Sequence, residues 1–148
     1  MDNNTITRQI QINADPERVW HSLTDYKEFG TWFHVDLDGP FVVGETTTGK
    51  TTYPGHEGLA WTTVTETLTP PSCFVFRWPH LREAEPIGPE TIWLTVSFTL
   101  EPSDGGTLVT VTETGFAALP EDQRVSMLRS NTEGWDIQTV NLKRHVES

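Results

Sequence analysis

Between an opening strand-and-helix pattern and a closing helical stretch, the chain is given over to Thr, Val, Trp and Phe punctuated by Gly and Pro, from Asp36 to Phe116. Such β-branched and aromatic runs between turn residues favour strands throughout, and six can be counted. The connections read as Gly39-Pro40, Thr48-Gly49-Lys50, Pro54-Gly55, Pro70-Pro71, residues 80–90 and Ser103-Asp104-Gly105-Gly106, the last a strong hairpin signal. An antiparallel meander is the expected result. Residues 80–90 are acidic and contain proline, which suits a surface connection at the sheet rim, a lid or a plain loop.

The flanks are equally specific. Ile6, Arg8, Ile10 and Ile12 alternate with polar neighbours, so a first strand is expected over residues 5–13. Asp15 is a good helix N-cap, Pro16 suits the first helical position and Glu17 complements the helix dipole. Val19, Trp20 and Leu23 would face inward. A second short helix is expected over Tyr26 to Phe33, its Phe29, Trp32 and Phe33 capping one end of the sheet and Gly30 weakening its middle. At the other end, Val125, Leu128, Thr132, Trp135, Thr139, Leu142 and Val146 recur at helical spacing in one stripe. Ser130-Asn131-Thr132-Glu133 reads as a capping box and Gly134 follows it, so this helix is expected as two pieces, from Pro120 and from Ser130. With a sheet gripping a terminal helix, an internal cavity is expected.

With 148 residues the chain suits one domain, residues 1–148, and a core that needs neither disulfide nor structural metal. Cys73 is the only cysteine, so no intrachain disulfide forms, and a reducing cytoplasm fits. Residues 1–5 lack the pattern of a secretory leader, and no stretch approaches the roughly 20 apolar residues of a membrane span. A net charge of −11 repels phosphate backbones and anionic lipid, so neither nucleic acid nor membrane is an expected partner. Six Trp and seven Phe exceed what a minimal core needs, and some of these rings are available to line a pocket.

Candidate pocket residues follow from strand faces. Ile92, Leu94, Val96, Phe98 and Leu100 form an inward face that leaves Trp93 outside. Phe74, Phe76 and Trp78 make an aromatic wall, with Arg77 facing out. Val109, Val111 and Glu113 share a face, which places a carboxylate on the buried side. Desolvation would bring Glu113 toward acid–base use; pairing with Arg77, which needs the opposite register, or fraying into solvent are the competing expectations. Asn131, Thr132 and Thr139 put polar groups on the helix stripe, as ligand-facing ground or as hydroxyls bonded back to a carbonyl one turn earlier.

These residues resemble a known family. Asp15-Pro16-Glu17-Arg18-Val19-Trp20, Trp32-Phe33, Phe41-Val42-Val43-Gly44-Glu45, Val64-Thr65-Glu66 before Pro70-Pro71, Phe76-Arg77-Trp78, the run from Thr107 to Phe116 and Gly134-Trp135 look like the SRPBCC, or START-like, superfamily. Within it they resemble the stand-alone bacterial relatives of the activator of the 90-kDa heat-shock-protein ATPase. The chain departs at Thr139, where Leu is frequent in relatives. The resemblance implies an α+β helix-grip fold: a curved antiparallel sheet of six to seven strands around a long C-terminal helix, two short helices after strand one, and a cavity between. Such proteins bind hydrophobic small molecules, cyclise polyketides or act as co-chaperones.

Other chemistries find little support. Gly44-Glu45-Thr46-Thr47-Thr48-Gly49-Lys50-Thr51 matches a phosphate-cradling loop, but Thr52-Tyr53-Pro54-Gly55 cannot start the required helix, so a hairpin with Lys50 in a solvated turn is expected. The five histidines lack metal-site spacing, no serine elbow is present, and neither metal nor cofactor is expected. The leading expectation is a binding protein for a hydrophobic or aromatic small molecule, lined by Trp32, Phe33, Phe76, Trp78, Glu113, Asn131, Thr132, Trp135 and Thr139. The alternatives are a cyclase or dehydratase moving a proton through Glu113 or His56, and a co-chaperone-like module meeting a protein client.

Overall fold

A computed structural model of the chain describes residues 3–81 and 86–148. Seven antiparallel strands form one sheet: β1 (Thr5–Ile12), β2 (Val35–Leu37), β3 (Thr46–Thr51), β4 (Ala60–Thr69), β5 (Cys73–His80), β6 (Ile92–Ser103) and β7 (Gly106–Thr114). They lie in the order β1-β7-β6-β5-β4-β3-β2. The last six are therefore a meander, and β1 closes its far edge against β7. Helices α1 (Pro16–Thr24) and α2 (Tyr26–Phe33) follow β1, and α3 (Glu121–Glu147) ends the chain. This is the expected α+β helix-grip. Among the described residues, no helix is long and apolar enough to cross a membrane.

Local chemistry accounts for most boundaries. The Asp15 carboxylate accepts from the Arg18 amide at 2.9 Å and caps α1, while Asp25 caps α2 through the Glu28 amide at 3.0 Å. At the β6–β7 hairpin, Asp104 and Gly105 both take positive φ, 49° and 79°, the twist that suits a two-residue connection. Of the long connection after β5, residues 82–85 lie outside the described residues, as do Met1 and Asp2 of the N-terminal segment.

Three expectations require correction. α3 is one uninterrupted helix, not two pieces: the Thr132 hydroxyl donates back to the Leu128 carbonyl at 2.6 Å instead of capping a new helix. Its inward stripe is also shorter than the periodicity suggests. Trp135, Thr139, Leu142 and Val146 are buried, whereas Leu128 is only partly buried against the core and Val125 is 57% exposed, so burial fades toward the N-terminal end of the helix. Finally, Thr48-Gly49-Lys50 is no connection, and Lys50 is not in a turn. Both Gly49 and Lys50 lie within β3, where a Cβ on Gly49 would collide with the carbonyl of Asp36 on the neighbouring strand. The phosphate-loop look-alike is thus a sheet strand.

The core gathers the inner sheet face against α1, α2 and the C-terminal half of α3. Phe29, Phe74, Phe76, Phe98, Leu23, Leu94 and Leu142 are fully buried in it. On the outer face the Arg77 guanidinium lies 4.6 Å from the centre of the Trp93 ring, the cation–π contact of a half-buried packing pair.

Candidate functional site

Alternation along β7 turns Thr107, Val109, Val111 and Glu113 toward the interior, and all four are buried. Glu113 sits across from Ile6 on β1 and Val96 on β6, so its carboxylate lies in an apolar row at 0% exposure. A charge placed there must find donors. Trp135 donates its indole N–H to Oε1 at 2.9 Å and Trp78 donates its own to Oε2 at 2.8 Å. The Asn131 amide nitrogen reaches both oxygens, at 3.1 and 3.2 Å. None of the ion pairs among the described residues involves Glu113.

The expectations of an Arg77 pair or a solvent-frayed carboxylate are therefore both corrected. Arg77 points out of the sheet, as its register on β5 requires, and neutral N–H donors take the place of a counter-ion. Burial pushes the Glu113 carboxyl up; the hydrogen bonds from Trp135, Trp78 and Asn131 pull it back, and the balance lies above the ordinary value of 4.5.

Trp78 and Trp135 stack at 5.9 Å between ring centres and 22° between planes. Phe33, the last residue of α2, lies 6.2 Å from one and 6.3 Å from the other. These three rings, with Ser130, Asn131, Gly134 and Gln138 from α3, line a cleft of about 260 Å³. Gln138 donates to the Phe33 carbonyl at 3.0 Å and ties α3 to the end of α2 at that point. On the other side of Trp78 lies a hollow of about 330 Å³ bordered by Trp61, Thr62, His80, Leu94 and Met127, and by Asn131 again. Trp78 and Asn131 thus separate two hollows, and no Lys, Arg, Asp or Glu among the described residues lines either.

Five of the residues expected from the sequence come together here: Phe33, Trp78, Glu113, Asn131 and Trp135. Others lie apart from both hollows. Trp32 is buried beneath α2 with its indole donating to the Ser22 carbonyl at 2.9 Å, and Phe76 is fully enclosed near Phe74 and Phe98. Thr139 gives its hydroxyl to the Trp135 carbonyl at 2.8 Å, as Thr132 does to Leu128. His56 is exposed in the β3–β4 connection, its ring 6.1 Å from that of Tyr53. Ser130, Gly134 and Gln138 were missed, yet they recur at helical spacing beside Asn131 and Trp135, a second stripe that the same periodicity carries.

A separate polar cluster joins the three helices. Glu28 accepts from Arg18 at 2.9 Å and Ser22 at 3.0 Å and meets His21 at 2.7 Å and His145 at 2.9 Å. Donor atoms of His21, Asp25 and Glu28 lie within 4.8 Å of one another, a spacing open to a metal ion, but the Arg18 guanidinium on Glu28 Oε1 competes with any cation there.

The model of the family described as "Activator of Hsp90 ATPase homolog 1-like protein" matches residues 13–147. No curated protein matches. Among solved structures, a protein from Arthrobacter aurescens superposes with a TM-score of 0.81 at 18% identity, covering 99% of this chain and 89% of that one. MLL2253 from Mesorhizobium loti gives 0.77 at 21% identity, covering 97% and 96%. DynU16, of the dynemicin biosynthetic locus, gives 0.75 at 21% identity over 98% of this chain and 48% of its own. At such identities the likeness is one of fold.

Proposed function

The chain belongs to the family of activator of Hsp90 ATPase homolog 1-like proteins, and on that premise we propose that it binds a small hydrophobic or aromatic molecule between β5 and the N-terminal half of α3. The observation that carries this reading is the pair of hollows divided by Trp78 and Asn131. The Trp78 and Trp135 rings line the smaller hollow, and their N–H edges are anchored on a buried carboxylate. An aromatic guest would remove apolar ring surface from water and stack on rings already held in place.

Mass spectrometry of the folded protein from its own host tests the proposal, followed by melting curves with whatever co-purifies. A bound guest should stabilise by roughly 2.7 kcal/mol at a hundred times its Kd. If no small molecule co-purifies, and aromatic ligands from a diverse library leave both the melting temperature and the Trp fluorescence unchanged, the reading fails.

The raised carboxyl of Glu113 favours a second reading, proton transfer on a bound substrate. Both of its oxygens are occupied and it is fully buried, so that chemistry needs the Asn131 or Trp78 donor to move aside. A Glu113→Gln variant that keeps affinity but loses turnover would select it. The family also favours a protein client, for which salt-sensitive binding without a small molecule would be the signature.

A further inference from the structure

We infer that the guest of the Phe33–Trp78–Trp135 cleft carries a positive charge on a compact apolar or aromatic body, an aryl or alkyl ammonium and not a carboxylate or phosphate. This rests on the binding reading above and adds the chemical class of the ligand.

Three observations point the same way. First, both indoles that face the cleft donate their N–H to Glu113. An anionic acceptor on the N–H edge pushes electron density back into the ring, and the ring face is the surface that attracts a cation; Trp is the strongest such face among side chains. Second, the carboxylate beneath the rings has no counter-ion among the described residues, and no basic side chain lines the cleft. A cation over the indoles would supply the missing charge across one layer of side chains, where the local dielectric is low and the interaction is weakly screened. An anion in the same place would meet Glu113 with nothing to offset it. Third, the net charge of −11 biases the approach of ligands toward cations. The size fits as well: about 260 Å³ suits a single aromatic ring bearing a small ammonium group.

The test uses three phenols of nearly one shape that differ in charge: para-(trimethylammonio)phenol, para-tert-butylphenol and para-phenolsulfonate. Each is titrated into the wild-type protein at about 0.15 M salt, where diffuse attraction is screened beyond ~8 Å. The indole N–H resonances of Trp78 and Trp135, assigned from Trp78→Phe and Trp135→Phe spectra, report binding at the cleft and not elsewhere on an acidic surface.

The cation should bind at least tenfold tighter than its neutral isostere, about 1.4 kcal/mol, and the anion should bind weakest. Equal affinities, or the neutral compound ahead, would overturn the cation class and leave the binding reading standing. Failure of all three to move either resonance would likewise overturn the cation class, while the binding reading falls only with the co-purification and library results above. In Glu113→Gln, if it folds, the margin between cation and neutral should shrink; the wild-type order decides the matter if it does not fold.

Discussion

Replacing Trp135 with Phe removes one donor from Glu113 and keeps an aromatic ring in the core. Trp135 is 3% exposed and its indole nitrogen lies 2.9 Å from Oε1, which would retain only Asn131, at 3.1 Å. Water has little access, because Glu113 is fully buried. A hydrogen bond to a charged group contributes roughly 1.5–3 kcal/mol, and removal of its donor falls on the ionised form alone. At about 1.4 kcal/mol per unit, the Glu113 midpoint should rise by roughly 1–2 units. Trimming indole to phenyl adds a pH-independent loss of about 1–2 kcal/mol, below the 3–5 of full truncation to Ala.

The pH dependence has a definite sign. The Glu113 carboxyl already titrates above 4.5 in the folded protein, so its penalty is absent below the ordinary carboxylate range and grows as pH rises through the folded midpoint. The variant extends that growth to higher pH. Denaturant unfolding should therefore show a loss of about 2.5–5 kcal/mol at pH values above the Glu113 midpoint, shrinking toward 1–2 where Glu113 is protonated. Carboxyl-carbon NMR should show the Glu113 midpoint shifted upward. An unchanged midpoint together with the same loss at every pH would refute an ionised Glu113 held by the indoles.

Glu28 should behave in the opposite sense. Burial alone would raise its carboxyl, but hydrogen bonds from His145, Arg18 and Ser22 and the Arg18 charge hold it at about 2. Its contribution is present above 4.5 and lost as pH falls toward about 2, so the melting temperature of wild type should fall faster across that window than that of Glu28→Gln. Gly30→Ala separates propensity from packing. Helix propensity predicts a gain of about 1 kcal/mol, whereas a Cβ at Gly30 would run into the Val35 carbonyl oxygen, and a loss of about 1–3 kcal/mol by denaturant unfolding is expected. Gly134→Ala meets nothing within 4 Å and should stabilise α3 by roughly 0.5–1 kcal/mol, yet its methyl intrudes on the cleft and should weaken any guest's binding in the same titrations.

The inward position of Glu113 was legible because strand alternation is local: β7 carries Val109, Val111 and Glu113 on one face whatever surrounds it. Its partners were not. Trp78 and Trp135 reach it from β5 and α3, and no local pattern reports that two indole nitrogens converge on one carboxylate. Gly49 read as a turn because its reason for being glycine is the close passage of the Asp36 carbonyl on β2, a tertiary fact. The Ser130–Glu133 segment carried a true capping signature, which the continuous backbone ladder of α3 overrode. The threonines were undecidable in principle. A hydroxyl facing a ligand and one bonded four residues back occupy the same stripe, and Thr132 and Thr139 both take the second course.

Glu113 lies at the junction of strand β7, strand β5 and helix α3, and this explains where the cleft opens. Beyond Trp135 toward the C-terminus, α3 is held by apolar burial of Leu142 and Val146 and by polar ties from Gln138 to Phe33, Lys143 to Gln11 and His145 to Glu28. On the N-terminal side no helix residue before Trp135 is fully buried, and the Asn131 and Trp135 bonds to Glu113 link that part of the helix to the sheet. Hydrogen bonds to a buried charge are short and directional, so the height of α3 above β5 is set by a polar contact of fixed length, with the side chains of Phe33 and Trp78 left to wall the gap. A fold that closed this seam with leucines would be more stable and would have no cleft. The same carboxylate that destabilises the interior at neutral pH thus keeps helix and sheet apart at the place where a guest can enter.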